Sequence, residues 1–119
     1  MATFSKTILS GSTDGKAVLV AQTATAGTLI HTGPTNTAHL HEVWLYAVNT
    51  SATGVKLTIE WGDATSPASH IELTVAAEAG LTLVVPGLLI KGNATALTVR
   101  AFAATANVVT IHGFVNTIS

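Results

Sequence analysis

The stretch "VKLTIEWG", residues 55–62, alternates apolar and polar side chains without interruption from Val55 to Trp61. A period of two places the apolar side chains on one face of an extended chain, which is typical of a β-strand with one buried face. The same alternation recurs in "HIELTVA" (70–76) and "ALTVRAFA" (96–103). The sequence therefore predicts an all-β protein.

Short polar and glycine-containing segments separate these runs, and they fix how the strands connect. The links at 49–54, 76–80, 91–93 and 105–107 are too short to hold the crossover helices that a parallel sheet needs. Further strands are predicted at 6–10, 16–22, 27–32, 38–49, 80–90 and 107–118, the last with a glycine that marks a bulge or a close backbone approach. We predict one antiparallel β-sandwich domain, a jelly roll of about eight strands.

The strand at 38–49 departs from simple alternation. Every residue from Val43 to Val48 is hydrophobic. A strand that is apolar on both faces is buried on both, so one face belongs to the core and the other meets a second layer or another subunit. Trp44 and Tyr46 are therefore interface candidates.

The charge content limits the classes of partner. Charged residues make up 9% of the 119 residues, against about 25% in a typical soluble domain. Five Lys and Arg residues cannot form the basic stripe that nucleic acid binding requires. A surface with so little charge is poorly protected against association, so we expect a homo-oligomer, a trimer.

Membrane and leader segments are not expected. The first twenty residues lack the basic and apolar regions of a signal peptide. The longest apolar stretch, residues 81–90, is too short to span a bilayer and is interrupted by Pro86 and Gly87.

Histidines are concentrated in "HTGPTNTAHLHEVW", residues 31–44, which holds His31, His39 and His41. His39 and His41 are two positions apart, so a strand would direct both imidazoles to one face, where they could begin a metal site. The chain has no cysteine, which excludes thiolate ligands, disulfides and a cysteine nucleophile.

This stretch resembles the start of a cupin motif, in which Gly33 would precede the His39 and His41 pair. The cupin pattern requires a glutamate four or five residues after the second histidine, where this chain has Leu45 and Tyr46. We therefore expect polar residues at the solvent end of a strand and no metal or other cofactor, with His31, His39 and His41 as the only candidates for a metal site.

Other polar and aromatic residues suggest two more alternatives for a functional site. Glu60 and Glu72 lie mid-strand and could meet across strands as glycosidase carboxylates do, but a solvated sheet face explains them more simply, and no catalytic residue is predicted. Trp44, Tyr46 and Trp61 could form a platform for sugar stacking, although the core or a subunit interface is favoured.

The first fifteen residues form a separate segment ahead of a sandwich domain at 16–119. Phe4, Ile8 and Leu9 are apolar residues in a stretch otherwise rich in Ser, Thr and Gly, and they complete the set of interface candidates. The segment is either an extended arm that adds a strand to a neighbouring sheet or an edge strand of the same sandwich.

Several phrases of the chain resemble small virion structural proteins of tailed bacteriophages. They are "DGKAVLVAQTATAGTLIHTGPT" (14–35), "EVWLYAVNTS" (42–51), "KLTIEWG" (56–62), "GLTLVVPGLLIKGN" (80–93) and "VRAFAATANVVTIHGFVN" (99–116). The resemblance implies a capsid decoration (cement) protein without enzymatic activity, made in the bacterial cytoplasm and bound to the phage major capsid protein on the outside of the head. Other virion positions, namely a head–tail joining ring, a tail component or a head-fibre base, stay open, as do a cupin-like metal-binding jelly roll and a carbohydrate-binding module.

Overall fold

A computed structural model describes residues 2–119, which fold into β-strands without any helix. The strands are β1 (Phe4–Ile8), β2 (Val18–Leu19), β3 (Thr28–Thr32), β4 (Leu40–Asn49), β5 (Val55–Gly62), β6 (His70–Val75), β7 (Thr82–Lys91), β8 (Thr98–Ala103) and β9 (Val109–Ile118). In this part of the chain, no helix is long and apolar enough to cross a bilayer.

The strands form two sheets in which every pairing is antiparallel. Sheet A has the order β1-β9-β4-β7, and sheet B has the order β3-β8-β5-β6. β1 and β2 both pair with β9, at residues 114–118 and 110–111 respectively, so together they occupy one strand position. The result is two four-position sheets linked by repeated crossings between them, which is the jelly roll. The predicted antiparallel β-sandwich is confirmed.

The core lies between the two sheets and follows the alternation read from the sequence. Inward-facing side chains of the central strands are fully buried, and they are Val43, Leu45 and Ala47 of β4, Leu57 and Ile59 of β5, Val99 and Ala101 of β8, and Ile111 and Val115 of β9. Removing a Val, Leu or Ile side chain from water stabilises a fold by roughly 1.5–3 kcal/mol. These strands therefore supply most of the driving force for the sandwich.

β4 is the central strand of sheet A. It pairs with β9 over ten residues without a register shift, from Leu40 opposite Ile118 to Asn49 opposite Val109. Its register with β7 shifts twice, once between Val43 and Trp44 and once between Leu45 and Tyr46. β7 is an edge strand that contains Pro86, and such irregularities discourage pairing with further strands.

The N-terminal segment contributes an edge strand and one core residue. β1 pairs with β9 from Phe4 opposite Ile118 to Ile8 opposite Phe114, and all five of its side chains are exposed. Leu9 differs, since only 1% of it is exposed and it belongs to the core. Of the two alternatives for residues 1–15, the structure has the edge strand at 4–8, with Met1 outside the described residues.

Gly113 lies where the backbones of β9 and β4 approach closely. A Cβ atom at this position would overlap the carbonyl oxygen of Trp44 and crowd the Cα atom of Leu45. The β4–β9 ladder has no register shift here, so the glycine marks a close backbone approach and not a bulge.

Gly113→Ala is expected to lower the free energy of unfolding by at least about 2 kcal/mol, because the added methyl group must push two central strands apart. Chemical denaturation monitored by tryptophan fluorescence measures the change. His112→Ala, one residue away, is the control and should cost less than about 1 kcal/mol. Equal stability of Gly113→Ala and the natural chain would contradict this account of the ladder.

Candidate functional site

Two of the three clustered histidines meet across the sandwich. His31 lies on β3 of sheet B and is 2% exposed, whereas His41 lies on β4 of sheet A. His31 Nε2 is 2.9 Å from His41 Nδ1, so the pair joins the two sheets at one end of the core. His39 precedes β4 in a turn and is not part of this hydrogen bond.

The hydrogen bonds fix the protons on both rings. The backbone N–H of Ser10 donates to His31 Nδ1 at 3.0 Å, so this nitrogen carries no proton. Neutral His31 therefore holds its proton on Nε2 and donates it to His41 Nδ1. Both ring nitrogens of His31 are thus occupied within the chain, which leaves His41 Nε2 as the one nitrogen of the pair without an assigned role.

Burial makes the charged form of this pair unfavourable. Desolvation, followed by the neighbouring His41, lowers the pKa of His31 to about 4. Desolvation, followed by the charge of His39, also lowers the pKa of His41. Among residues 2–119, no group of three or more His, Asp or Glu side chains is placed to hold a metal ion.

The pH dependence of stability should report on His31. The unfolded chain binds a proton at His31 below pH 6.5 but the folded chain only near pH 4, so stability should fall as the pH is lowered through this window. The expected loss is about 3 kcal/mol, measured by urea denaturation at pH 7 and pH 4.

His31→Gln should flatten this dependence, whatever its stability at pH 7, because the titrating group is gone. His112→Gln, on the outer face of sheet A, should leave the slope as it is in the natural chain. An unchanged slope in His31→Gln would show that other groups govern the acid sensitivity.

The two mid-strand carboxylates on sheet B have different environments. Glu60 is 1% exposed, and it accepts hydrogen bonds from the Gly27 backbone N–H at 2.6 Å and from Thr25 Oγ1 at 2.9 Å. Glu72 is exposed and forms a 3.3 Å ion pair with Lys56. Glu60 and Glu72 are therefore committed to different contacts and do not form a carboxylate pair.

Glu60 holds part of the chain's own backbone over sheet B. Residues 21–27, which we call the strap, run from β2 to β3 and reach Glu60 through Thr25 and Gly27. Arg100 on β8 donates to the Gly27 carbonyl oxygen at 3.1 Å. A Cβ atom on Gly27 would overlap the backbone of Ala101, so the strap lies directly against β8. The strap covers this part of the outer face of sheet B.

Glu60→Ala should release the strap, because it leaves the Gly27 N–H without its acceptor in a buried position. We expect a loss of about 2–4 kcal/mol in the free energy of unfolding and faster amide hydrogen exchange at residues 21–27. Glu72→Ala, which removes an exposed ion pair, should cost no more than about 1 kcal/mol. Slow exchange in the strap of Glu60→Ala would show that other contacts hold it.

The outer face of sheet A has no such cover. Directly paired residues on β1, β9 and β4 point to the same side and form three rows across the sheet. The rows are Phe4–Ile118–Leu40, Lys6–Asn116–Glu42 and Ile8–Phe114–Trp44. We call the first the Phe4 row, the second the polar row and the third the Trp44 row.

Large apolar side chains are exposed on this surface, which we call the sheet A face. Phe4 is 73% exposed and Ile8 is 46% exposed, while Leu83 and Leu89 on β7 extend the surface beyond β4. The Trp44 and Phe114 rings stack with their centroids 6.1 Å apart at an angle of 9°. Large apolar side chains gathered on one exposed face often mark a surface that binds a partner.

The polar row is built around one carboxylate. Trp44 Nε1 donates to Glu42 Oε1 at 2.7 Å, and Asn116 Nδ2 donates to the same oxygen at 2.9 Å. These two hydrogen bonds, the Trp44 bond foremost, lower the pKa of Glu42 and keep it a carboxylate. Lys6 Nζ lies 4.9 Å from the centre of the Phe114 ring. An open cleft of about 390 Å³ lies over this row and is lined by Phe4, Ser5, Lys6, Glu42, Asn116 and Ile118.

The interface candidates chosen from the sequence divide into two groups. Phe4, Ile8, Trp44 and Tyr46 all lie on the sheet A face, whereas Leu9 is in the core because it follows the last residue of β1 and turns inward. Trp61 packs against the core from sheet B, so it does not join a platform with the other aromatic residues.

The residues of the sheet A face that sequence reasoning missed include Lys6, Glu42, Phe114 and Asn116. Phe114 and Asn116 were readable as outward positions of the alternating strand 109–118. Lys6 and Glu42 gave no signal, because only the register of β1 and β4 on β9 brings them into one row.

Neither family models, nor curated proteins, nor solved structures showed a match to this chain.

Proposed function

We propose that the chain is a non-enzymatic structural protein of a bacteriophage virion, a capsid decoration protein that binds the outside of the head and stabilises it. Its partners would be copies of itself and the phage major capsid protein. It would be assembled onto particles in the bacterial cytoplasm.

The observation that carries this proposal is the sheet A face. It exposes aromatic and aliphatic side chains in a chain of which only 9% of the residues are charged. Such a surface favours association over solubility as a free monomer. A protein that binds in many copies to a shell requires a surface that favours association, because each contact is made once and need not be reversed.

The polar groups support a structural role over a catalytic one. His31 and His41 satisfy each other between the sheets, and Glu60 is fully engaged by the strap. Glu42 is oriented by Trp44 and Asn116 within the polar row, which lies between the Phe4 row and the Trp44 row. Each of these contacts orders the fold or shapes a face for association.

Stabilisation of the head would follow from the apolar surface area buried by the bound copies. Each bound copy would bury apolar surface that bridges neighbouring shell subunits, and burial contributes about 25 cal/mol per Å². Repeated over a symmetric shell, modest contacts of this size resist outward pressure without any single strong site.

Quantitative mass spectrometry of purified particles of the encoding phage tests this proposal. We expect the chain in a constant ratio to the major capsid protein, and we expect particles lacking it to disassemble at a lower temperature. A few copies per particle would indicate a head–tail joining ring, a tail component or a head-fibre base. Absence from purified particles would refute the proposal.

A further inference from the structure

The two charged residues of the polar row lie at its opposite ends. Lys6 lies on β1, Asn116 on β9 and Glu42 on β4, so a cation and a carboxylate flank the central amide at about 4.8 Å per strand. Within residues 2–119 the only ion pair joins Lys56 and Glu72, so Lys6 and Glu42 do not neutralise each other inside the chain. Both side-chain hydrogen bonds to Glu42 end on Oε1, so neither of them uses Oε2.

We propose that the sheet A face packs against the same face of a second copy of this chain, about a two-fold axis that runs along β9. The inference rests on the association surface that the proposed function also uses, and it names the occupant of that surface.

Charge complementarity selects this axis. A two-fold axis along β9 exchanges β1 and β4 between copies but keeps each residue at its level along the strands. Lys6 of each copy then lies opposite Glu42 of the other, and Asn116 lies opposite Asn116. An axis along the polar row would instead bring Lys6 onto Lys6 and Glu42 onto Glu42, which like-charge repulsion disfavours.

The apolar rows match under the same axis. Ile8 of one copy would cover Trp44 of the other, and the two Phe114 rings would meet at the centre. Phe4 would cover Leu40. Two twisted sheets pack face to face about 10 Å apart when their strand directions lie within about 30° of each other, and an axis along β9 meets this condition. Phe4, the most exposed large apolar residue among residues 2–119, would thereby lose its contact with water.

The available area suits a weak, concentration-dependent contact. An axis along β9 places β1, β9 and β4 of the two copies over one another and leaves β7 outside the overlap. Three strand positions spaced by about 4.8 Å, with about 3.3 Å per residue over ten residues, give roughly 480 Å² per copy. Two copies would bury roughly 950 Å², which lies in the range of weak, transient interfaces. A contact of this kind is closed by two copies, so we expect a dimer through this face, where the sequence predicts a trimer.

The experiment uses charge reversal and mixing. Lys6→Glu places Glu opposite Glu twice in a dimer, and Glu42→Lys places Lys opposite Lys twice. By sedimentation velocity at about 100 µM, the natural chain should be a dimer. Each variant alone should dimerise about tenfold or more weakly. An equimolar mixture of the two variants should form a heterodimer, because both facing pairs are again of opposite charge.

Matched controls separate this pairing from net charge. Lys56→Glu and Glu72→Lys make the same changes of charge on the outer face of sheet B, and they should leave dimerisation unchanged. Phe4→Ser tests the apolar contact without touching the core, and it should weaken the dimer several-fold while the circular dichroism spectrum stays the same.

Three results would overturn the inference: a monomeric natural chain, a dimer that tolerates both single reversals, or a mixture that fails to associate. None of them bears on the proposed function. A monomer found in constant ratio on phage particles would refute the dimer and keep the decoration role, with the shell as the occupant of the face. A dimer that is absent from phage particles would support the dimer and refute the decoration role.

Discussion

The ten-residue ladder between β4 and β9 is the constraint on which the rest of this protein depends. It places the inward residues of both strands in the core and, at the same time, the Trp44 and polar rows on the exterior. Gly113 permits the close approach of the two backbones, and an unshifted register keeps Glu42 beside Asn116. A slip by one residue would exchange the two faces. The core and the sheet A face are thus two consequences of one pairing.

The two outer faces of the sandwich differ in how far the chain itself covers them. Sheet B is partly covered by the strap, which Glu60 and Arg100 hold in place through hydrogen bonds to its backbone and to Thr25. Sheet A has no comparable segment over it within residues 2–119, and its aromatic residues stay partly exposed. One outer face is thus partly covered by the chain itself, whereas the other stays exposed, and we propose that a partner covers it.

The histidine cluster has a structural explanation. His31 and His41 lie at the end of the core where the β1–β2 connection contacts β3 of sheet B, and Ser10 hydrogen-bonds both His31 and the Thr32 backbone there. A buried imidazole satisfied on both nitrogens stabilises such a junction only while it is neutral, because desolvation opposes the charged form. Within the cluster, the contact that forms is between His31 and His41, and it is a neutral hydrogen-bonded bridge between the two sheets.

The sequence by itself determined the fold class, because period-two alternation and short turns admit an antiparallel sandwich and little else. It also named Phe4, Ile8, Trp44 and Tyr46 as interface candidates, and the structure places all four on the sheet A face. It did not show that Leu9 is buried, that Glu60 is covered by residues 21–27, or that His31 meets His41 and not His39. These are contacts between residues distant in the chain. Only the register of strands in the tertiary structure decides them, since alternation specifies which face a side chain is on but not which strand lies beside it.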